Sequence, residues 1–134
     1  MSAQRERGQS GQVTVLLALA LVGALLVSGV AVDGGYGLLQ WRQAQNAADL
    51  GSEAAVQALQ PACFGTASVS NQQVSAAISD LVASDAPQAS GHWQGVYLTQ
   101  GGSPVSGGPA LPAATGSAPA GACGVSVQVT PTWT

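Results

Sequence analysis

Few residues in this chain could do chemistry. His92, one of the many serines and Asp80 or Asp85 would complete a hydrolytic triad on paper, but no nucleophile-elbow spacing or other catalytic motif accompanies them. His92 beside Trp93, at the start of an extended stretch, reads instead as a surface or edge residue. Asp49 and Glu53 stand four apart, the spacing of a paired-carboxylate site for proton transfer. With Arg42 upstream of them, they fit a solvated helix face better. Gly34-Gly35-Tyr36-Gly37 has the glycine content of a phosphate loop without the lysine or the preceding strand. It reads as a flexible joint between two helical segments. Asp33 marks the end of an apolar run, and a carboxylate there resists deeper insertion into a membrane. No catalytic residue, cofactor site or metal site is assigned from these patterns, and the chain is not expected to be an enzyme.

The elements that would have to position any chemistry are unusual in composition. Charged residues make up 7% of the 134-residue chain and aromatics 4%, far from an average soluble protein. Lysine is absent, and Arg5, Arg7 and Arg42 are the only arginines. No basic patch exists to neutralise phosphates, which argues against nucleic acid as a partner. The net charge of −3 comes from six scattered carboxylates, too dispersed for an acidic tail. Nor does any convergence of polar residues call for a small-molecule substrate.

From Val13 to Val32 the chain carries no charge, and Thr14 and Ser28 are its only polar interruptions. A helix of that length, at about 1.5 Å per residue, matches a hydrocarbon core about 30 Å thick. Arg5 and Arg7 precede the run and Asp33 follows it. The positive-inside tendency therefore predicts a single-pass protein of the cell membrane, with residues 1–12 in the cytoplasm, residues 13–32 spanning the bilayer and the remainder outside. The competing reading is a cleavable signal, since Gly29 and Ala31 put small residues at the two positions inspected by a signal peptidase. Its apolar region would be long for that role.

Residues 33–60 continue as a helix. After the glycine-rich joint, LLQWRQAQNAADLGSEAAVQALQ is rich in Ala, Leu, Gln and Glu and has no proline until Pro61. Trp41, Ala44, Ala48, Gly51, Ala55 and Ala58 recur at spacings of three and four, a seam of mostly small side chains. Arg42, Asn46, Asp49 and Glu53 form a polar stripe on another side. Small residues let a neighbour approach the backbone closely. Two neighbours fit: the protein's own small domain, or copies of itself and related subunits in a bundle or filament.

These residues carry a family resemblance. The Gly11-Gln12-Val13 opening, the Val32-Asp33-Gly34-Gly35 exit and the Gln45-Asn46-Ala47-Ala48-Asp49 block resemble the N-terminal segment of TadG-like proteins and their TadE-like cousins, which belong to the Tad machinery assembling Flp pili. The likeness spans about residues 7–59. It implies a membrane-anchored envelope protein with a long N-terminal helix, in the company of other pilus or envelope subunits and membrane lipid. True pilins of the class are cut after a glycine and carry a glutamate five residues on. Here that position holds Val13 counted from Gly8 and Leu16 counted from Gly11.

Residues 61–134 are expected to form a small extracytoplasmic α+β domain. Ser70 and Gln73 have capping-box spacing, and Val74, Ala77, Ile78, Leu81 and Val82 share one face, which predicts a short helix over 71–84. Residues 92–100 and 125–130 read as strands, the second from its alternating valines. Between them, Gly or Pro occupies ten of the twenty-one positions 101–121, read as a mobile loop. An antiparallel hairpin covered by helices follows. Cys63 and Cys123 allow one pairing, and export to an oxidising compartment favours a disulfide over two buried thiols. Closing a loop of about sixty residues stabilises such a domain by on the order of 4 kcal/mol. Three function classes follow, in order: a pilin-like or TadG-like structural component, an anchored binding or adhesion module presenting its loop, and an exported enzyme.

Overall fold

A computed structural model describes residues 6–113 and 115–132. The architecture is α+β: α1 (Glu6–Cys63), α2 (Asn71–Asp85), a single 3-10 turn (Pro87–Ala89), β1 (Trp93–Leu98) and β2 (Gly124–Val129). The chain divides after Leu38 into two compact units, each described below by itself.

The first unit is the N-terminal part of α1. It is long and apolar enough to cross a membrane, and its apolar side chains are uncovered; Val30, for one, is 75% exposed. The Ser28 hydroxyl is satisfied locally, donating to the Ala24 carbonyl at 2.8 Å. The helix also runs through Gly34, Gly35, Tyr36 and Gly37, where the sequence suggests a joint. No proline interrupts the backbone ladder there, so glycine's cost of up to about 1 kcal/mol per residue weakens the helix without ending it.

The second unit, from Leu39 onward, holds the core. The C-terminal part of α1 brings Ala47, Ala55 and Leu59 to it, α2 brings Val74, Ile78 and Val82, and the sheet brings Trp93, Tyr97, Val125 and Val127. Helix α1 ends at Cys63 rather than before Pro61; Pro61 lies inside its last turns, and its carbonyl accepts from the Thr66 backbone at 2.8 Å. Helix α2 begins as its sequence predicts. The Ser70 hydroxyl accepts from the Gln73 N–H at 3.2 Å, and the Gln73 side chain accepts from the Ser70 N–H at 3.0 Å. Burial favours this helix because only one of its faces is apolar.

Strands β1 and β2 pair antiparallel, from Trp93 opposite Val129 to Leu98 opposite Gly124. Trp93, Gly95 and Tyr97 on β1 and Val125 and Val127 on β2 face inward, while Gln94, Val96, Ser126 and Gln128 face out. The Gly/Pro-rich connection is not the free loop its composition suggests. Leu111 exchanges backbone hydrogen bonds with Gly95 at 2.9 and 3.0 Å, and Val105 donates to Tyr97 at 2.9 Å, so the connection runs along the outer edge of β1. Leu111 is buried, and Ala118 donates to Val69 at 2.8 Å. Glycine and proline here set turns between anchor points, with backbone pairing supplying what composition alone does not reveal.

Gly95 sits where that connection, β1 and β2 converge. A methyl group there would lie 2.9 Å from Val125 Cγ1 and 3.3 Å from Leu111 Cβ. Gly95→Ala is expected to destabilise the domain by about 1–3 kcal/mol through overpacking, read as a lowered Tm of the full chain in detergent.

Candidate functional site

In the second unit α1 has two faces, and they do different things. Ala44, Ala47, Gly51, Ala55 and Leu59 are buried. Close approach is tightest at Gly51, where an added Cβ would stand 3.2 Å from Ile78 Cγ2 of α2 and 3.6 Å from Val127 Cγ1 of β2. Farther along, Gly124 of β2 faces Val56, with 3.6 Å between an added Cβ and Val56 Cγ2. At Gly51 the side chains of Ile78 and Val127 thus reach the α1 backbone, which a residue of this size permits.

The seam residues distribute unevenly over this arrangement. Ala44, Gly51 and Ala55 are buried, Ala48 and Ala58 are half-buried, and Trp41 is 54% exposed. Gly51 therefore spends its smallness on the protein's own domain. Sequence reasoning missed Ala47 and Leu59, which four-residue steps to Gly51 and from Ala55 could have supplied. It also missed Ser52. That hydroxyl donates to the Ala48 carbonyl at 2.9 Å and accepts from the Val127 N–H at 3.3 Å, linking α1 to the outward edge of β2. Arg42, Asn46, Asp49 and Glu53 are all exposed on the opposite face.

The far end of α1 is tied covalently: Cys63 and Cys123 form a disulfide with an S–S distance of 2.01 Å. Beside it lies an open groove of about 370 Å³, with Val56, Leu98 and the 75%-exposed Phe64 as its apolar walls. A buried polar node joins α2, β1 and the connection between the strands. The Tyr97 hydroxyl donates to Asn71 Oδ1 at 2.7 Å, and Asn71 Nδ2 donates to the Thr115 carbonyl at 2.8 Å. The Asn71 N–H donates to the carbonyl of Gly116, a residue at φ +86° that a side chain would strain. Burial pushes the Tyr97 phenol above its ordinary range, because the phenolate would lose water without gaining a cation.

Residues with chemical potential do not converge. His92 and Asp80 are exposed and Asp85 is half-buried; among the described residues no hydrogen bond or ion pair joins them. No group of three or more His, Cys, Asp or Glu side chains suited to a metal ion occurs among the described residues. Asp33 is exposed on the first unit.

In the first unit α1 is apolar and uncovered, and in the second unit one of its faces is covered by a small disulfide-bonded α+β domain. Residues 11–58 match the family described as putative Flp pilus-assembly TadE/G-like, and they are the residues of that helix. The match covers about a third of the chain, and the helix that carries it is long and apolar enough to cross a membrane. No curated protein and no solved structure matches the chain.

Two predictions follow from this geometry. Gly51→Leu must displace Ile78 and Val127, so a loss of about 1–3 kcal/mol is expected on overpacking, measured by chemical denaturation of the full chain in detergent. An unchanged midpoint would place the helix farther from the domain than described. For Tyr97, a folded-state pKa above the unfolded value near 10 means its stabilisation is complete below that pH and is lost as pH rises through the folded value. Thermal melts from about pH 8 to about pH 11 should therefore show a steep alkaline fall in the wild type, shallower in Tyr97→Phe.

Proposed function

We propose that this chain is a non-catalytic, pilin-like or TadG-like component of a Tad/Flp-type pilus or a related envelope assembly. In this reading residues 13–32 span the cell membrane once, with the N-terminus cytoplasmic and the domain after Asp33 outside. Helix α1 is both anchor and spine. The observation that carries the reading is the coincidence of the family match over 11–58 with one helix whose apolar part is uncovered and whose small-residue face is buried. An apolar helix without protein cover needs lipid or other helices around it. A domain with a buried small-residue face and an intact disulfide suits an oxidising exterior. The partners in this reading are membrane lipid and other pilus subunits, with self-association through the exposed side of α1.

A second reading draws on the groove beside the disulfide with Phe64 at its wall, and makes the chain an anchored adhesion module. Cleavage near Ala31 would release the same domain into the soluble fraction. N-terminal sequencing and intact mass of the protein from fractionated cells separate these. Membrane-bound protein with its N-terminus retained, together with loss of pili on deletion of the gene, is the expected result. A start at Gln9 or Gln12 would add prepilin-type processing to the same reading. A soluble product beginning at Val32 would overturn the anchor, and unaltered piliation on deletion, with lost surface binding in a Phe64→Ser variant, would favour the adhesion module.

A further inference from the structure

Cys63 and Cys123 both line the open groove of about 370 Å³, and both are half-buried. Phe64, the residue after Cys63, is 75% exposed at the groove wall. Among the described residues that line the groove none carries a charge, so an incoming thiolate meets no like charge there. The two ends of the bridge are also held in place by other means. Cys123 donates its backbone N–H to the Leu98 carbonyl at 2.9 Å, and Ala122 and Val125 beside it are buried. Leu59, one turn before Cys63, is buried in the same core, and beyond Cys63 the Phe64 N–H donates to the Gln60 carbonyl at 3.1 Å. The Cα atoms of the pair stand 4.7 Å apart, between two frameworks that core burial and backbone hydrogen bonds already hold.

We propose that this disulfide is a site of thiol–disulfide exchange in the folded domain, opened and reclosed through the groove by a dithiol. One thiolate of the dithiol attacks a sulfur of the bridge, the Cys63–Cys123 bond breaks, and the displaced cysteine leaves as a thiolate that takes up a proton. The second thiolate of the reagent then attacks the reagent's own sulfur in the mixed disulfide and frees the other cysteine. Two electrons pass from the dithiol, which becomes a disulfide, to the protein, whose bridge becomes two thiols. In that state packing and hydrogen bonds, with no covalent bond, hold the end of α1 to β2, and the groove wall at Phe64 gains freedom that the bridge denies it. The reverse exchange with a disulfide reagent recloses the bridge, because the two thiols remain neighbours. A bridge sealed inside a core is reached through unfolding; this one is reached from solvent. For a protein dithiol, Phe64 supplies an apolar contact beside the reacting sulfur. The chemistry asks nothing of the membrane anchor, so its test is separate from that of the proposed function.

Dithiothreitol acting on the full chain in detergent tests this, with free thiols blocked by a maleimide at intervals and counted by intact mass. The native chain is expected to open at a rate within about tenfold of that in guanidinium chloride, where access is complete. Once open it should keep a cooperative thermal melt at a lowered Tm, and oxidised glutathione, added after the dithiothreitol is removed, should restore the bridge. Gln100 is exposed on the groove wall, so Gln100→Trp narrows the entry. That variant should open about fivefold more slowly than the wild type when native and at the same rate in denaturant. A native rate lower than the denatured one by more than about tenfold would overturn the proposal, since the bridge would then be reached through unfolding. Loss of the cooperative melt on reduction would overturn the reclosable bridge, and Gln100→Trp opening as fast as the wild type would overturn entry through the groove.

Discussion

The close approach of α1 to α2 and β2 at Gly51 is the constraint on which the second unit depends. A sheet of two strands has too little buried area to stand alone, and α2 covers it only in part. Helix α1 completes the core with Ala47, Ala55 and Leu59, and at Gly51 its backbone is met by the side chains of Ile78 and Val127. That position therefore tolerates little added volume.

The disulfide and the Asn71–Tyr97 node secure the same domain by different means. Cys63–Cys123 fastens the last turn of α1 to the residue preceding β2, across a sequence separation of 60. Asn71 joins the first turn of α2, the inward face of β1 and the backbone at Thr115 and Gly116. One device acts chiefly by limiting the unfolded chain, and the other by leaving a buried donor or acceptor unpaired if either partner is removed. Together they allow a domain poor in aromatic residues to hold a defined shape.

Much of this was legible in the sequence, for identifiable reasons. The apolar run, the capping box at Ser70 and Gln73, the alternating valines of β2 and the pair of cysteines are local or combinatorially simple signals. For the 101–121 connection, glycine and proline report where a chain can turn, and say nothing of the hydrogen bonds that Leu111 and Val105 make to β1. At Gly34–Gly37 the helix continues, since glycine lowers helix propensity without forbidding a helix. On the seam, periodicity found the side of α1 that packs inward, but Trp41 belongs to the exposed surface and Ala47 and Leu59 to the buried one. Whether a seam of small residues faces its own domain or another chain is decided by tertiary contact, which periodicity does not encode.

The pairing of the 104–111 segment with β1, and the Ser52 hydroxyl on the Val127 N–H, have a meaning beyond the fold of one chain. Open strand edges are templates on which any extended peptide can add, including another copy of the same strand. Here the outer edge of β1 is occupied by its own connection, and the outward edge of β2 is engaged at its middle by a helix. The sheet of the second unit therefore offers little open edge on which a further extended peptide could add, which guards it against stacking strand on strand.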